Sequence, residues 1–342
     1  MIRDDTRSRR DGATRASAAR YPAHLPATRL HPALRPLTTF HRFWIASALL
    51  AALPGQTPVR TDSVPVPDGW NARARAELLA NAVVRARIRL ADPTEFENTV
   101  QRGGGYVAVT VVVLERLKGK VANELELTCY VAGPGQERGL RPTKEELIAA
   151  TGRDVFLMLD QVGSRWFLAD RYTGEALIPD AFDAGRELRA LVQRHAELQR
   201  RPIPDDAPLV AEVDAILDEL NDYPDRQIDG FRRLQDLGCG ALPAVVRHIE
   251  DDREVPGKTV HLRACGRAAA DQAPLERRVE RFADVMAVIA SEWTNESFGI
   301  ARELLERRSR ERRAQCLRVF VHYLLADRNA LAEARRIEPP RR

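Results

Sequence analysis

Residues 106–131, YVAVTVVVLERLKGKVANELELTCYV, decide the fold class of the first half of this 342-residue chain. A β-branched run fills residues 106–117, a tight turn follows at residues 118–120, and a second alternating run covers residues 124–131. Successive side chains of a strand point to opposite faces, so every second residue is expected in a core. The inward residues predicted in this way are Val109, Val111, Val113, Leu125, Leu127, Cys129 and Val131. The segment therefore predicts a β-hairpin with one buried face.

Shorter elements on both sides of the hairpin extend the strand pattern to residues 70–200. A short helix and a strand at residues 83–90 precede the hairpin, and residues 92–105 predict a polar loop that ends in three glycines. After the hairpin we expect a short helix that begins at Thr143. The strands and the closing helix expected next cover residues 155–159, 166–169, 176–178 and 181–199. About five strands with a helix at either end predict a small β-barrel.

The barrel sequence resembles the netrin-like, tissue-inhibitor-of-metalloprotease-like OB barrels of exported bacterial proteins. The segments that carry the resemblance are VVRARIRL (83–90), YVAVTVVVLERLKGK (106–120), ELELTCYV (124–131), TGRDVFLMLD (151–160) and WFLAD (166–170). The resemblance implies an OB-like β-barrel over residues 70–200. Inhibitors of that family insert an N-terminal cysteine into a protease zinc site, and no cysteine stands near Trp70. Protease inhibition therefore does not carry over to this chain.

Beyond residue 200 the hydrophobic period changes from two to 3.6 residues. Prolines in residues 201–207 predict a linker, residues 208–336 predict an all-α domain, and residues 337–342 predict a disordered tail. Leu237–Arg253 resembles a HEAT-type repeat, in which a glycine turn is followed by Ala-Leu-Pro and an apolar helix. One such unit is too little for a solenoid and favours a compact helical domain. The predicted fold class is α+β multidomain, an OB-like β-barrel followed by a HEAT-like helical domain.

The first 56 residues have the composition of a targeting segment. Residues 1–60 contain ten arginines and three acidic residues, whereas the remaining chain has three more acidic than basic residues. Arg42 is followed by the apolar run Phe43–Leu53, as in a signal peptide whose true start lies near residue 37. Eleven residues are too short to span a bilayer, so we expect no stable membrane span in the mature chain. Residues 57–69 predict a linker, and the protein is expected to be exported.

The sequence offers few candidates for chemistry. It lacks the G-x-S-x-G elbow of serine hydrolases and the glycine-rich strand-to-helix loop that binds phosphate, so we expect no catalytic residues and no cofactor. Four residues have ligand types that suit a zinc ion, namely Cys239, His248, His261 and Cys265. The simpler interpretation is a surface histidine with packed thiols, and a Cys239–Cys265 disulfide is a third alternative.

Two charged segments have a structural and a functional interpretation. The acidic residues at 250–254 lack the spacing of a calcium loop and favour a helix end. Residues 302–313, RELLERRSRERR, favour a solvated helix face with intrahelical ion pairs, and a weak surface for an acidic partner is the alternative.

The function predicted from these patterns is that of an exported, non-catalytic binding or scaffold protein. Its partner would be an unknown protein or a surface polymer, and no nucleic acid is expected because the basic charge is concentrated in the leader. Two alternatives stay open, an extracytoplasmic hydrolase with a scattered site and a structural component of the cell envelope. A deep pocket with convergent polar groups would favour the enzyme, and a broad binding surface would favour the binding protein.

Overall fold

The computed structural model describes most of the chain beyond residue 62. The described residues are 63–90, 92–133, 141–170, 173–223, 226–255, 259–262, 275–294 and 307–337. All of them belong to one compact unit that spans residues 60–342. The predicted leader at residues 1–56, with its apolar run, lies outside the described residues, as does Cys265.

A closed β-barrel forms the first half of the described chain. Its strands are β1 (Ala82–Leu90), β2 (Gly104–Lys118), β3 (Glu124–Ala132), β4 (Asp154–Val162) and β5 (Arg165–Leu168). They pair in the order β1-β2-β3-β5-β4, and β4 pairs with β1, so the five strands close on themselves. Neighbouring strands are antiparallel except β3 and β5, which are parallel. A short strand β6 (Leu177–Pro179) also pairs with β4.

The hairpin predicted from residues 106–131 is confirmed, and its alternate residues fill the barrel. Val109 and Val111 on β2 are 0% exposed, and Leu127 on β3 is 1% exposed. Burial in this core raises the pKa of the Cys129 thiol to about 12. The thiol therefore stays protonated at neutral pH and behaves as a small apolar side chain.

Helices cover the ends and the wall of the barrel. They are α1 (Ala72–Leu79), α2 (Pro93–Gln101), α3 (Lys144–Ala150) and α4 (Phe182–Arg200). Helix α2 lies where a polar loop was predicted for residues 92–105, and that prediction was wrong. The Asp92 carboxylate caps α2 by accepting hydrogen bonds from the backbone N–H groups of Thr94 and Glu95. This cap, followed by a proline, is a helix-start signal that was readable in the sequence.

Helices and one two-stranded sheet form the second half. The helices are α5 (Val210–Asp222), α6 (Gln227–Asp236), α7 (Leu242–Arg247), α8 (Phe282–Thr294), α9 (Arg307–Ala326) and α10 (Arg328–Ala334). Strands β7 (Thr259–Leu262) and β8 (Leu275–Arg278) pair antiparallel. The prediction of an all-α domain over residues 208–336 was therefore wrong at these strands. Four-residue strands with few apolar side chains are too short to establish a period of two.

The segment that resembles a repeat unit, residues 237–253, turns as predicted but contains a shorter helix. Gly238 has a φ of +73°, a conformation that favours glycine, and a single 3-10 turn follows. Pro243 lies in the first turn of α7, where its missing N–H forfeits no hydrogen bond. Helix α7 ends at Arg247 rather than continuing to Arg253, and it packs against α5, α8 and α9.

Each half has its own hydrophobic core, and the two halves are in contact. Leu188 of α4 lies in the barrel core, whereas Leu198 near the end of the same helix packs on the helical core. Trp70 also belongs to the helical core, with its ring 5.0 Å from Phe320 and 5.9 Å from Tyr323 of α9. Helix α4 and the residues just before α1 therefore connect the two halves.

The predicted linkers contribute buried residues to the helical half. Val64, in the predicted linker 57–69, is 3% exposed, and its backbone N–H donates a 2.7 Å hydrogen bond to the carbonyl oxygen of Trp293. Ile203, in the predicted linker 201–207, is 6% exposed. Whether the halves fold separately stays a prediction.

Candidate functional site

Two tyrosines lie opposite each other on the barrel wall, where β2 begins and β3 ends. The register pairs Tyr106 with Tyr130. Their strand neighbours Val107 and Cys129 are buried in the barrel, so the alternation of the strands turns both tyrosines outward. The two ring centroids are 5.3 Å apart with an interplanar angle of 76°, the edge-to-face arrangement that aromatic pairs favour.

Phe167 on β5 adds a third ring to this pair. Its centroid lies 6.4 Å from that of Tyr106, again edge to face at 80°. Tyr106 is 57% exposed, and Tyr130 and Phe167 are half-buried. We call the side chains of Tyr106, Tyr130 and Phe167 the aromatic face. Clustered aromatic side chains at a surface are typical of binding sites, since they offer large contact area at low conformational cost.

Glycines fix the backbone beside the aromatic face. Gly104 has a φ of +95°, and a Cβ atom there would lie 2.6 Å from the backbone nitrogen of Gly133. A Cβ atom on Gly133 would lie 2.3 Å from the carbonyl carbon of Gly103. No side chain fits between these backbones without displacement. The glycine run predicted as a loop end therefore allows β2 and β3 to meet closely next to Tyr106.

Polar side chains continue the same outer surface along β2 and β3. The next outward pair in register is Ala108 opposite Thr128, and the pair after that is Thr110 opposite Glu126. Both threonines are half-buried and Glu126 is exposed. The surface therefore changes from aromatic rings to hydroxyl groups and a carboxylate within four residues of each strand.

A contact with the helical half borders the aromatic face. Asp160 of β4 lies opposite Phe167 in the β4–β5 register. The guanidinium of Arg312 on α9 donates hydrogen bonds to the Asp160 carboxylate at 2.8 Å and to the Asn81 side-chain oxygen at 3.2 Å. The aromatic face thus ends at an ion pair between the two halves.

A buried polar network lies at the junction of α1, α4 and α9. His195 on α4 contacts the Glu77 carboxylate through Nδ1, and its Nε2 lies 3.1 Å from the Tyr323 hydroxyl. The Lys118 ammonium lies 3.0 Å from the Glu77 Oε1 atom. Glu77 and His195 are 1% exposed and Tyr323 is 2% exposed. Sequence reasoning missed this network, because its members are scattered over the chain without a motif.

The protonation of the network suits a structural role. Burial raises the pKa of Glu77, but the hydrogen bond from His195 and the charge of Lys118 outweigh that effect and hold the pKa below its ordinary value. Burial raises the pKa of the Tyr323 hydroxyl. Glu77 is therefore ionised and Tyr323 protonated at neutral pH. The three groups could relay a proton, but no substrate atom reaches side chains that are almost fully buried.

The predicted zinc candidates are not assembled into a site by the described residues. Cys239 is buried, and the His248 Nε2 atom lies 2.7 Å from the Asp214 carboxylate. His261 lies on β7 opposite Glu276, and Cys265 lies outside the described residues. Within the described part of the chain, no three His, Cys, Asp or Glu side chains converge to hold a metal ion. The zinc site and the Cys239–Cys265 disulfide stay predictions.

The arginine-rich segment is not a solvated face where the structure describes its side chains. Arg310 pairs with Asp284 at 3.0 Å, and Arg312 reaches Asp160 on the barrel. Arg313 is 2% exposed. The interpretation as a solvated face was therefore wrong for these three residues, which pack α9 against other elements.

Two surface clefts hold no catalytic set among the described residues. A cleft of about 320 Å³ lies between α5 and α6, where Arg226 and Arg233 both pair with Glu219. A second cleft of about 220 Å³ lies beside α3 and β6 and has a largely apolar wall that includes Pro142 and Leu177. The first cleft satisfies its own charges.

Comparison with known proteins gives no relative for the chain. No protein-family model matches it, and no curated protein or solved structure is significantly similar to it. Among the helices of the described residues, none has the length and apolar character needed to cross a membrane.

Proposed function

We propose that this chain is an exported, non-catalytic binding protein whose ligand contacts the aromatic face. The observation that supports this function is the exposure of Tyr106 within a cluster of three rings on a rigid barrel wall. Strands hold side chains more precisely than loops do, so the three rings are pre-arranged for a ligand. A ligand would bury apolar ring surface that now contacts water.

We further propose that the barrel is OB-like and of the netrin-like type, and that the helical half is HEAT-like. The closed strand order, with α3 between β3 and β4, supports the barrel assignment. In OB barrels, the surface of strands 2 and 3 binds polymeric ligands, and the aromatic face lies mainly on those strands. The glycine turn and proline of residues 237–243 support the helical assignment.

Two other functions have weaker support. An extracytoplasmic hydrolase would need an accessible set of polar groups, and the Glu77–His195–Tyr323 network is buried. A structural envelope component would be supported by the extensive contacts between the halves, but those contacts do not explain exposed aromatic rings.

Export rests on the arginine-rich leader and the apolar run Phe43–Leu53. Cell fractionation and N-terminal sequencing of the native protein test it. We expect a processed chain outside the cytoplasm that begins after residue 53. An intact cytoplasmic chain that retains the apolar run would contradict export.

Binding is tested by co-sedimentation of the purified chain with an isolated cell-envelope fraction. We expect the wild-type chain to sediment with the envelope and Tyr106→Ala to stay in the supernatant. Tyr223→Ala is the matched control, since Tyr223 is a tyrosine of the helical half with 52% exposure. Equal sedimentation of Tyr106→Ala and the control would refute the aromatic face as the binding surface.

A further inference from the structure

We infer that the aromatic face and its polar extension bind a neutral oligosaccharide chain. The inference rests on the proposed binding function and names the chemical class of the ligand. Three properties of the surface carry it: its rings, its charge balance and its hydrogen-bonding groups.

The rings provide the apolar part of such a site. A sugar ring has an apolar C–H face, which packs on the face of an aromatic side chain and removes both from water. Tyr106 projects furthest, with 57% of its surface exposed, and its edge-to-face contacts with Tyr130 and Phe167 hold the ring in place. The tyrosine hydroxyl groups add polar contacts beside the apolar ring surface.

The charges of the surface argue against a polyanionic ligand. Proteins that bind single-stranded nucleic acid combine stacked aromatic side chains with a positively charged groove. On this surface the exposed outward residues Glu124 and Glu126 of β3 face the exposed arginines Arg89 of β1 and Arg165 of β5. The two signs balance, so no basic stripe attracts phosphate or sulfate groups.

The hydrogen-bonding groups lie in line with the rings. Thr128 and Glu126 follow Tyr130 at two-residue intervals on β3, with Thr110 beside Glu126 on β2. At about 3.4 Å per residue, the distance from Tyr130 to Glu126 is about 14 Å. Hydroxyl and carboxylate groups donate to and accept from sugar hydroxyls. A short oligosaccharide could therefore lie along the strands, stacked at one end and hydrogen-bonded at the other.

The strand pairing argues against an extended peptide. Peptides often bind by adding a strand to an open sheet edge. Strand β2 is paired with β1 and β3, and β3 is paired with β2 and β5. Neither strand has an open edge at the aromatic face, so a peptide would lose the main-chain hydrogen bonds that give this binding mode its affinity.

Calorimetric titration of the full chain with neutral tetrasaccharides tests the inference. The probes are cellotetraose, maltotetraose, mannotetraose and chitotetraose, and a single-stranded oligothymidylate is the anionic probe. We expect at least one tetrasaccharide to bind with an affinity that does not change between 50 and 200 mM salt. Tyr106→Ala should weaken binding about tenfold, the effect expected for one lost ring contact. Tyr106→Phe should retain most of the affinity, and Tyr223→Ala should retain all of it.

Each other outcome overturns a defined part of the argument. Salt-sensitive binding of the oligothymidylate without binding of any tetrasaccharide would overturn the glycan inference. Envelope binding that requires Tyr106 but resists competition by all four tetrasaccharides would also overturn it, while the proposed binding function would stand. Tetrasaccharide binding that Tyr106→Ala leaves unchanged would place the glycan elsewhere and refute the site.

Discussion

At the scale of single residues, Glu77 shows how distant side chains set the state of a buried carboxylate. It is 1% exposed, and its pKa nevertheless lies below the ordinary value because His195 and Lys118 contact it. A group with a lowered pKa in the folded state stabilises the protein above its unfolded pKa. That stabilisation is lost as the pH falls through the folded pKa.

We therefore predict that Glu77→Gln destabilises the protein at pH 7 and that the difference from wild type shrinks in acid. Removing one member of a buried ion pair costs about 3–5 kcal/mol. Below the ordinary glutamate pKa near 4.5, the wild-type stabilisation should decline while the Glu77→Gln variant loses less. Urea unfolding at pH 7, 5 and 3.5 measures both trends.

Glu187→Gln is the control for this experiment. Glu187 lies on α4, the helix of His195, and pairs with Arg73 at 3.2 Å, but it is 61% exposed. An exposed pair contributes at most about 1 kcal/mol. A loss at pH 7 that is as small for Glu77→Gln as for Glu187→Gln would show that the buried network does not hold the halves together.

The residues of the candidate site were only partly predictable from the sequence. Alternation along residues 106–131 places Tyr106 and Tyr130 on the outward face, and an outward aromatic residue was a readable signal. That Phe167 joins them depends on the β3–β5 pairing, which is not local in the sequence. Arg312 and Arg313 were misjudged for a similar reason. An arginine-rich helix has the same pattern whether it faces water or the acidic residues of another element.

At the scale of elements, the β2–β3 turn depends on a close approach that the sequence could not reveal. Lys118-Gly119-Lys120 predicts a tight turn from composition alone. The structure shows in addition that Gly119, at φ +76°, lies against the backbone before β1, where a Cβ atom would be 2.1 Å from the Asn81 carbonyl oxygen. The turn therefore requires glycine for its conformation and for its contact.

Gly119→Ala and Gly163→Ala separate these two requirements. Gly163, in the β4–β5 turn, also has a positive φ of +62°, but no atom lies within 4 Å of a Cβ atom there. Gly163→Ala should cost about 1–2 kcal/mol for the left-handed conformation alone. Gly119→Ala should cost about 1–3 kcal/mol more, because the backbone must also move. Urea midpoints with unchanged m-values measure the difference. Equal losses would mean that the Asn81 contact relaxes freely.

The elements that the sequence predicted correctly have a strong period. The long strands of the hairpin and the 19-residue helix α4 were within a few residues of their observed bounds. Even in α4, Phe182 was assigned to the apolar stripe and is 86% exposed. Helix ends are positioned by caps and contacts rather than by period, which explains such errors.

At the scale of the whole molecule, composition predicted two kinds of structure but not how they are joined. The change of period near residue 200 separates the barrel from the helical half. The connection through Trp70, α4 and the Glu77 network involves pairs more than one hundred residues apart, such as His195 and Tyr323. No local pattern encodes such a pair, so the prediction of separate folding needs a direct test.

We predict that residues 70–200 fold alone but are less stable than in the full chain. The fragment contains the complete barrel core, so it should melt cooperatively. It lacks Phe320 and Tyr323, which cover Trp70, and it leaves His195 without its hydroxyl partner. Its melting temperature should therefore lie several degrees below that of the barrel in the full chain, as expected for a loss of about 1–2 kcal/mol in a domain of this size. Limited trypsin digestion of the full chain should first cut near Arg200.

Addition of a separately produced fragment 208–336 tests whether the junction itself accounts for the loss. A fragment that binds the folded barrel stabilises it by mass action, so the melting temperature should rise with the concentration of the added fragment. The same fragment with Tyr323→Phe keeps the ring against Trp70 and loses the hydroxyl that contacts His195, so it should restore less stability. If residues 70–200 show no cooperative transition even with the partner fragment present, the two cores depend on a continuous α4 and on its connection to residue 208. The boundary near residue 200 would then divide one folding unit rather than separate two.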